Sequence, residues 1–126
     1  MELRREEVAN GPVITGFSGR GFRVGERVFE HGVMLDPGGV TEWTAPERIE
    51  QLLPEMLGAL LDRTPTPEFL LLGTGARLIH PNRAFMRALE DRQIGLEVMD
   101  SRAAARAWGV LRQEDREVVA ALLPHR

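Results

Sequence analysis

The sequence lacks several residue types on which many functional sites depend. It contains no cysteine, which excludes disulfides, thiolate catalysis and cysteine-ligated zinc or iron–sulfur sites. All 16 basic side chains are arginine, so a lysine Schiff base and a Walker A lysine are excluded as well. These absences remove whole classes of enzyme before any motif is considered.

Two further absences concern location and partners. No apolar run approaches the roughly 20 residues that a membrane span needs, and no apolar stretch of a secretory signal follows the charged residues at the start. The net charge of -3 gives no basic excess for binding nucleic acid. We therefore expect a cytoplasmic protein that binds no nucleic acid and has no membrane span. A partner would still be able to hold it at the periphery of a membrane complex.

The length and the patterning predict a single domain over residues 1–126. Residues 1–10 are charged and predict a flexible arm. Short apolar segments separated by glycine turns predict an antiparallel β meander over 13–43, with a hairpin turn that begins at Gly25. Longer segments, in which helical and strand patterns alternate, predict an α/β portion over 46–123.

The segment Phe69–Leu72 is the strongest signal in the chain. It is a continuous apolar run between Pro67 and Gly73, which is typical of a strand buried on both faces of a sheet. Such a strand lies inside a sheet that is covered by helices.

In the segments around this strand, the spacing of apolar residues alternates between that of a helix and that of a strand. Helical spacing predicts helices over 54–62 and 82–91 and a third helix that Asp100 or Ser101 caps, and apolar runs predict strands over 96–99 and 118–123. The fold class is thus α/β, with three layers. A central mixed, mostly parallel sheet has helices on both sides, and the β meander lies at its N-terminal end.

The glycine spacing at Gly16, Gly19 and Gly21 is similar to that of a phosphate-binding loop. Its context is strand–turn–strand, with no helix N-terminus to receive a phosphate. We therefore interpret these glycines as tight turns and a β-bulge.

Polar turns follow two of the predicted parallel strands. The candidate ligand-binding residues in these turns are Gly73, Thr74, Gly75, Asp100, Ser101 and Arg102. Because ligands bind outside the carboxyl ends of parallel strands, adjacent strands would join both turns in one crevice for an anion. The alternative is that the glycines form a tight turn while Asp100 and Ser101 only cap a helix.

Glu97 lies within the predicted strand over 96–99. If both faces of that strand are covered, Glu97 is a buried carboxylate, which must be paired, hydrogen-bonded or protonated. Arg106 or Arg116 is the expected partner in a structural ion pair. A catalytic base is the alternative.

The remaining chemistry-bearing residues predict no reaction. The histidines at positions 31, 80 and 125 are isolated, so we expect no metal site. No serine stands in a nucleophile elbow. We therefore predict no catalytic residue and no cofactor.

Five stretches in order resemble a known family. They are Ile14–Phe17, Gly21–Val24, Leu70–Gly75, Gly95–Ser101 and Ala120–Pro124. Together they resemble the domain of unknown function 498 family, which has the Mth938-like fold. The resemblance implies a mixed sheet with helices on one side, and helices with a small β layer on the other. The family includes a mitochondrial assembly factor of respiratory complex I that acts by binding proteins, and no reaction is established for it.

The leading hypothesis is a non-enzymatic binding module that assists assembly of a protein complex, with protein partners and a homodimer as expected associations. The alternative is a small-molecule-binding protein or enzyme that holds an anionic ligand between Gly73–Gly75 and Asp100–Arg102. A crevice filled by hydrogen bonds of Thr74 and Asp100 to the backbone would contradict the alternative.

Overall fold

A computed structural model describes residues 4–126. The strands are β1 (Arg5–Glu7), β2 (Ile14–Ser18), β3 (Gly21–Val24), β4 (Arg27–Phe29), β5 (Val33–Asp36), β6 (Gly39–Glu42), β7 (Phe69–Gly73), β8 (Gly95–Met99) and β9 (Val118–Leu122). The α-helices are α1 (Gly58–Leu61), α2 (Arg83–Asp91) and α3 (Ser101–Arg112), and 3-10 turns cover Ile49–Gln51 and Pro54–Leu57.

Six strands form one mixed sheet in the order β1-β6-β5-β9-β7-β8, and β2-β3-β4 form a separate sheet. β7 runs parallel to both β8 and β9, whereas the other three pairings are antiparallel. The predicted α/β class and mixed sheet are confirmed. The sheet is not mostly parallel, however. β5 and β6, which the sequence predicts as part of the β meander, belong to the large sheet and pair antiparallel in it.

The sheet separates two apolar cores, so the protein has three layers. On one face, the core between the sheet and α1, α2 and the 3-10 turns includes Leu70, Leu72 and Phe85. On the other face, the core between the sheet and α3 with the small sheet includes Leu71 and Trp108. The predicted three-layer arrangement, with the small β layer on one side, is therefore confirmed.

β7 is the buried strand that the sequence predicts. Leu70, Leu71 and Leu72 have no exposed surface, because the strand has a neighbour on each side and a core on each face. Side chains alternate across a strand, so Leu71 enters one core while Leu70 and Leu72 enter the other.

The first residues of the chain differ from the expectation. The sequence predicts a flexible arm over 1–10, but Arg5–Glu7 pairs antiparallel with β6 as the outer strand of the sheet. Residues 1–3 lie outside the described part of the chain. Arg5 also donates two hydrogen bonds of 2.7 Å to the carboxylate of Asp36, which ends β5, and these bonds add to the backbone pairing.

The Asp36 carboxylate is buried, and its neighbours keep it charged. Burial by itself would raise its pKa, but the hydrogen bonds donated by Arg5 and by the Gly38 amide outweigh that effect. Arg63 adds a second positive charge at 3.2 Å. The pKa of Asp36 therefore lies below its usual value, and the ion pair holds β1 against the sheet.

The helix predicted over 54–62 is shorter than expected. Pro54–Leu57 form a 3-10 turn, and only Gly58–Leu61 are α-helical. Leu57 has a φ of -112° and a ψ of 16°, which breaks the helical backbone at this point. Leu57 and Leu61 are nonetheless buried, so the expected apolar face is retained.

The two longer helices begin at side-chain caps. The Asn82 carboxamide oxygen accepts a hydrogen bond of 2.7 Å from the Phe85 amide and caps α2. Asp100 caps α3 in the same way, by accepting from the Ala103 amide at 2.9 Å, which confirms one of the two predicted caps. Trp108 anchors α3 further along, because its indole donates to the Pro12 carbonyl at 2.9 Å.

Candidate functional site

The two predicted turns meet at the same edge of the sheet. β7 and β8 are adjacent and parallel, so their carboxyl ends lie side by side. The Thr74 amide donates to the Met99 carbonyl at 2.9 Å, and the Ser101 amide donates to the Gly75 carbonyl at 2.8 Å. The Gly75 amide in turn donates to the Ser101 hydroxyl at 2.8 Å. The turns therefore bond directly to each other.

The Thr74 hydroxyl belongs to this network. The residue is 4% exposed, and its oxygen lies 2.6 Å from the Arg77 carbonyl, to which it donates. It also accepts a hydrogen bond of 3.1 Å from the Ile79 amide. The hydroxyl thus closes the loop after β7.

Gly73 is required where the two turns touch. A Cβ at this position would lie 2.8 Å from Leu122 Cγ and 3.1 Å from Ser101 Cα. Gly75 has a φ of +105°, which disfavours any residue with a side chain. Both glycines therefore fit the interpretation as a tight turn.

Arg102 lies away from this junction, over the small sheet. Its guanidinium carbon is 5.1 Å from the centre of the Phe17 ring, and its Nε donates to His125 Nδ1 at 3.2 Å. Asp100 is used as the α3 cap. Binding of a ligand by Asp100, Ser101 and Arg102 stays a prediction, and their observed contacts are those of a cap and a turn.

His125 is a residue whose position the sequence does not reveal. It is 4% exposed, and its ring packs edge-on against Phe17 and Phe22. Burial lowers the pKa of its imidazole, and the positive charges of Arg102 and Arg126 lower it further. No periodic pattern marks His125, because its contacts come from segments distant in sequence.

Glu97 is exposed, and the prediction of a buried carboxylate is wrong. β8 is an outer strand of the sheet. The helix on that face, α3, packs mainly on β7 and β9 and covers little of β8. Arg116, one of its two expected partners, pairs instead with Glu68 at 3.2 Å and Glu114 at 3.4 Å. Neither the proposed ion pair nor a buried catalytic base fits this position.

A groove opens on the other side of the turn after β7. We call it the arginine groove, and its volume is about 710 Å³. Its charged and titratable lining residues are Arg20, Arg48, Arg77, Arg126, His31, Glu47 and Glu50. Thr74 and Gly75 line it as well, whereas Asp100, Ser101 and Arg102 do not. The structure thus divides the predicted site between a closed junction and an open groove.

The charges in the arginine groove are unequal. Arg48 pairs with Glu50 at 3.2 Å. Within residues 4–126, no ion pair is formed by the other groove arginines, which are Arg20, Arg77 and Arg126. Among the arginine and glutamate side chains of the groove, four positive charges against two negative ones leave an excess of two. The sequence pattern does not show this groove, because its lining comes from several separate segments.

The described residues also bear on metal binding and on membrane insertion. Between residues 4 and 126, no three histidine, aspartate or glutamate side chains are grouped so that they could hold a metal ion. Over the same residues, none of the helices has the length and apolar character needed to cross a membrane.

Comparison with known proteins shows relatives over almost the whole chain. NADH dehydrogenase (ubiquinone) 1 alpha subcomplex assembly factor 3 of Danio rerio is 31% identical over 125 residues, which cover 98% of this chain and 71% of that protein. An uncharacterised protein of Rhodobacter capsulatus is 30% identical over 98% of this chain and 94% of its own length.

Solved structures agree with the fold. The solution structure of a Bordetella pertussis protein, described as a Mth938-like domain, matches with a TM-score of 0.76 and 29% identity. The match covers 99% of this chain and 93% of that one. Residues 14–123 match the family described as a protein of unknown function (DUF498/DUF598), and this chain therefore belongs to that family.

Proposed function

We propose that this protein is a non-enzymatic binding module that assists the assembly of a protein complex, such as respiratory complex I. The observation that carries the proposal is the similarity to the Danio rerio assembly factor along 98% of this chain. A partner protein is the association that this role requires.

The geometry of the turns supports binding rather than chemistry. The hydroxyls of Thr74 and Ser101 and the carboxylate of Asp100 are the polar groups with which the predicted site would act. Each of them is hydrogen-bonded to the backbone of the two turns or of α3. Hydrogen bonds of this kind are typical of groups that stabilise a turn or cap a helix, which supports a structural role over a catalytic one.

Three narrower expectations belong to the same proposal. We expect the protein to work in the cytoplasm, to associate with the periphery of a membrane complex through its partner, and to form homodimers. Cell fractionation checks the first two, and sedimentation equilibrium of the purified chain checks the third.

Deletion of the gene in its native cells tests the proposal. We expect NADH:quinone oxidoreductase activity of the membranes to fall, and subcomplexes to accumulate on native gels. Cross-linking and affinity isolation of the tagged protein should recover a complex subunit or a second assembly protein in fixed ratio. Full-size complex with normal activity in the deletion strain would contradict the proposal.

A further inference from the structure

We infer that the arginine groove is the docking site for an acidic segment of a partner protein, an extended stretch that carries carboxylates and apolar side chains. The inference rests on the proposed function, because it says which surface of the binding module receives the partner. The residues that carry it are Arg20, Arg48, Arg77 and Arg126.

The groove lies where α/β proteins place their ligands. β7 and β9 are parallel neighbours, and their carboxyl ends are followed by Thr74–Arg77 and Leu123–Arg126. Both segments line the groove. The crevice outside the carboxyl ends of parallel strands is the general binding position in such sheets.

The charge of the groove selects an anion. A guanidinium forms two parallel hydrogen bonds to a carboxylate, and arginine holds its charge at every physiological pH. The arginine and glutamate side chains of the groove carry two excess positive charges, although the net charge of the whole chain is -3. An acidic partner therefore meets a local positive excess on a chain whose overall charge is negative.

The form of the groove favours a chain segment over an enclosed small molecule. All four arginines are exposed, and they come from separated parts of the lining. Ile79 is 39% exposed in the same lining, and Leu78 beside it is 56% exposed. An extended peptide is able to reach several guanidinium groups and also to cover an apolar side chain.

The floor of the groove is already rigid. Thr74 and Gly75 are hydrogen-bonded to their neighbours, and Ile49 and Leu123 are 2% and 4% exposed. A preformed floor lowers the entropy that binding costs, because only the arginine side chains need to be ordered.

A labelled peptide tests the inference on the full chain. The probe is a short fluorescein-labelled peptide in which glutamate and leucine alternate, and binding is measured by fluorescence anisotropy. The groove variant carries Arg20→Gln, Arg77→Gln and Arg126→Gln. The control variant carries Arg83→Gln, Arg87→Gln and Arg106→Gln, which removes the same charge from exposed helix positions outside the groove lining.

We expect the groove variant to bind the peptide about tenfold more weakly than the wild type, because each of three exposed ion pairs changes affinity by about twofold. The control variant should bind nearly as the wild type does, and a peptide with glutamine in place of glutamate should bind weakly to all three proteins. Affinity should fall as salt is added. Equal losses in both variants, or no binding by the wild type, would overturn the inference.

Two further measurements separate the alternatives. Inorganic phosphate and pyrophosphate are tested as competitors, and tighter binding of either anion than of the peptide would overturn the inference in favour of a small-molecule site. In the deletion strain, the groove variant should restore complex assembly less well than the control variant. Equal restoration by the two variants would overturn the inference and leave the proposed function standing. Normal complex assembly in the deletion strain that carries no copy of the gene would contradict the proposed function itself.

Discussion

The turn Gly73–Gly75 has two sides that differ in packing, hydrogen bonding, exposure and charge. On the side of Ser101 the backbones touch, hydrogen bonds join the turns, and Ser101 has no exposed surface. On the side of the arginine groove, Arg77 and its neighbours are exposed and carry excess charge. One short segment thus closes the core on one side and borders an open surface on the other.

This difference separates stability from recognition. A substitution on the closed side should change the free energy of unfolding, since it disturbs close packing and buried hydrogen bonds. A substitution on the open side should leave that free energy nearly unchanged and alter only binding. The distinction is wrong if substitutions on the closed side leave the free energy of unfolding unchanged, or if substitutions on the open side lower it.

The largest effect is expected for Gly73→Ala. The added Cβ would lie 2.8 Å from Leu122 Cγ and 2.9 Å from the Ser101 hydroxyl, so the turns must separate. We expect a loss of about 2 kcal/mol in the free energy of unfolding, measured by urea denaturation.

The matched control is Gly109→Ala in α3. A Cβ at Gly109 meets no atom within 4 Å, and the position is helical. The control should therefore gain about 0.5–1 kcal/mol. A similar change in both variants would mean that the turn is not tightly packed.

Ser101→Ala should have the second largest effect. It removes the hydroxyl that accepts the hydrogen bond from the Gly75 amide and leaves that buried amide without its partner. We expect a loss of about 1–2 kcal/mol in the free energy of unfolding. Ser18→Ala on the small sheet is the control and should change it by less than about 0.5 kcal/mol.

The packing of the small sheet should also respond to acid, through His125. Because burial lowers its pKa in the folded protein, the unfolded chain binds a proton first as the pH falls. The free energy of unfolding should therefore decrease as the pH falls through about 6.5, the unperturbed pKa of histidine, and this contribution should level off below the folded pKa.

Urea denaturation at a series of pH values measures this dependence. The decrease should be smaller in His125→Gln, which cannot titrate, and should persist in His80→Gln, where the histidine is exposed. An unchanged decrease in His125→Gln would assign the pH dependence to other groups.

The smallest effect on stability is expected on the open side. The triple variant of Arg20, Arg77 and Arg126 should unfold within about 0.5 kcal/mol of the wild type, because exposed side chains contribute little to folding. Urea denaturation checks this beside the peptide measurement. A loss as large as that of Ser101→Ala would show that these arginines support the fold.

The parts of the fold that local pattern determines were predictable. β7, α2, α3 and β9 follow from the period of their apolar residues, and the cap at Asp100 follows from residue type. These features depend on residues adjacent in sequence, so a single sequence contains the signal.

The wrong predictions depend on distant contacts. Glu97 is exposed because of how far a helix extends over an outer strand, and no local pattern encodes that distance. Arg5–Glu7 becomes a strand through Asp36, about thirty residues later. The arginine groove combines residues from the turn after β2, from two loops and from the segment after β9, so only the folded structure brings its charges together.

The exposure of Glu97 has a consequence for how the molecule avoids aggregation. The Gly95 amide donates to the Glu68 carbonyl, so the backbone N–H and C=O groups of every second residue of β8, beginning with Gly95, face β7. The backbone groups of Leu96 and Val98 therefore face away from the sheet. An outer strand with outward backbone groups invites pairing with another strand. Two copies joined antiparallel about Glu97 would place carboxylate opposite carboxylate, where like charges repel. The exposed carboxylate of Glu97 would therefore disfavour this pairing of two copies along β8.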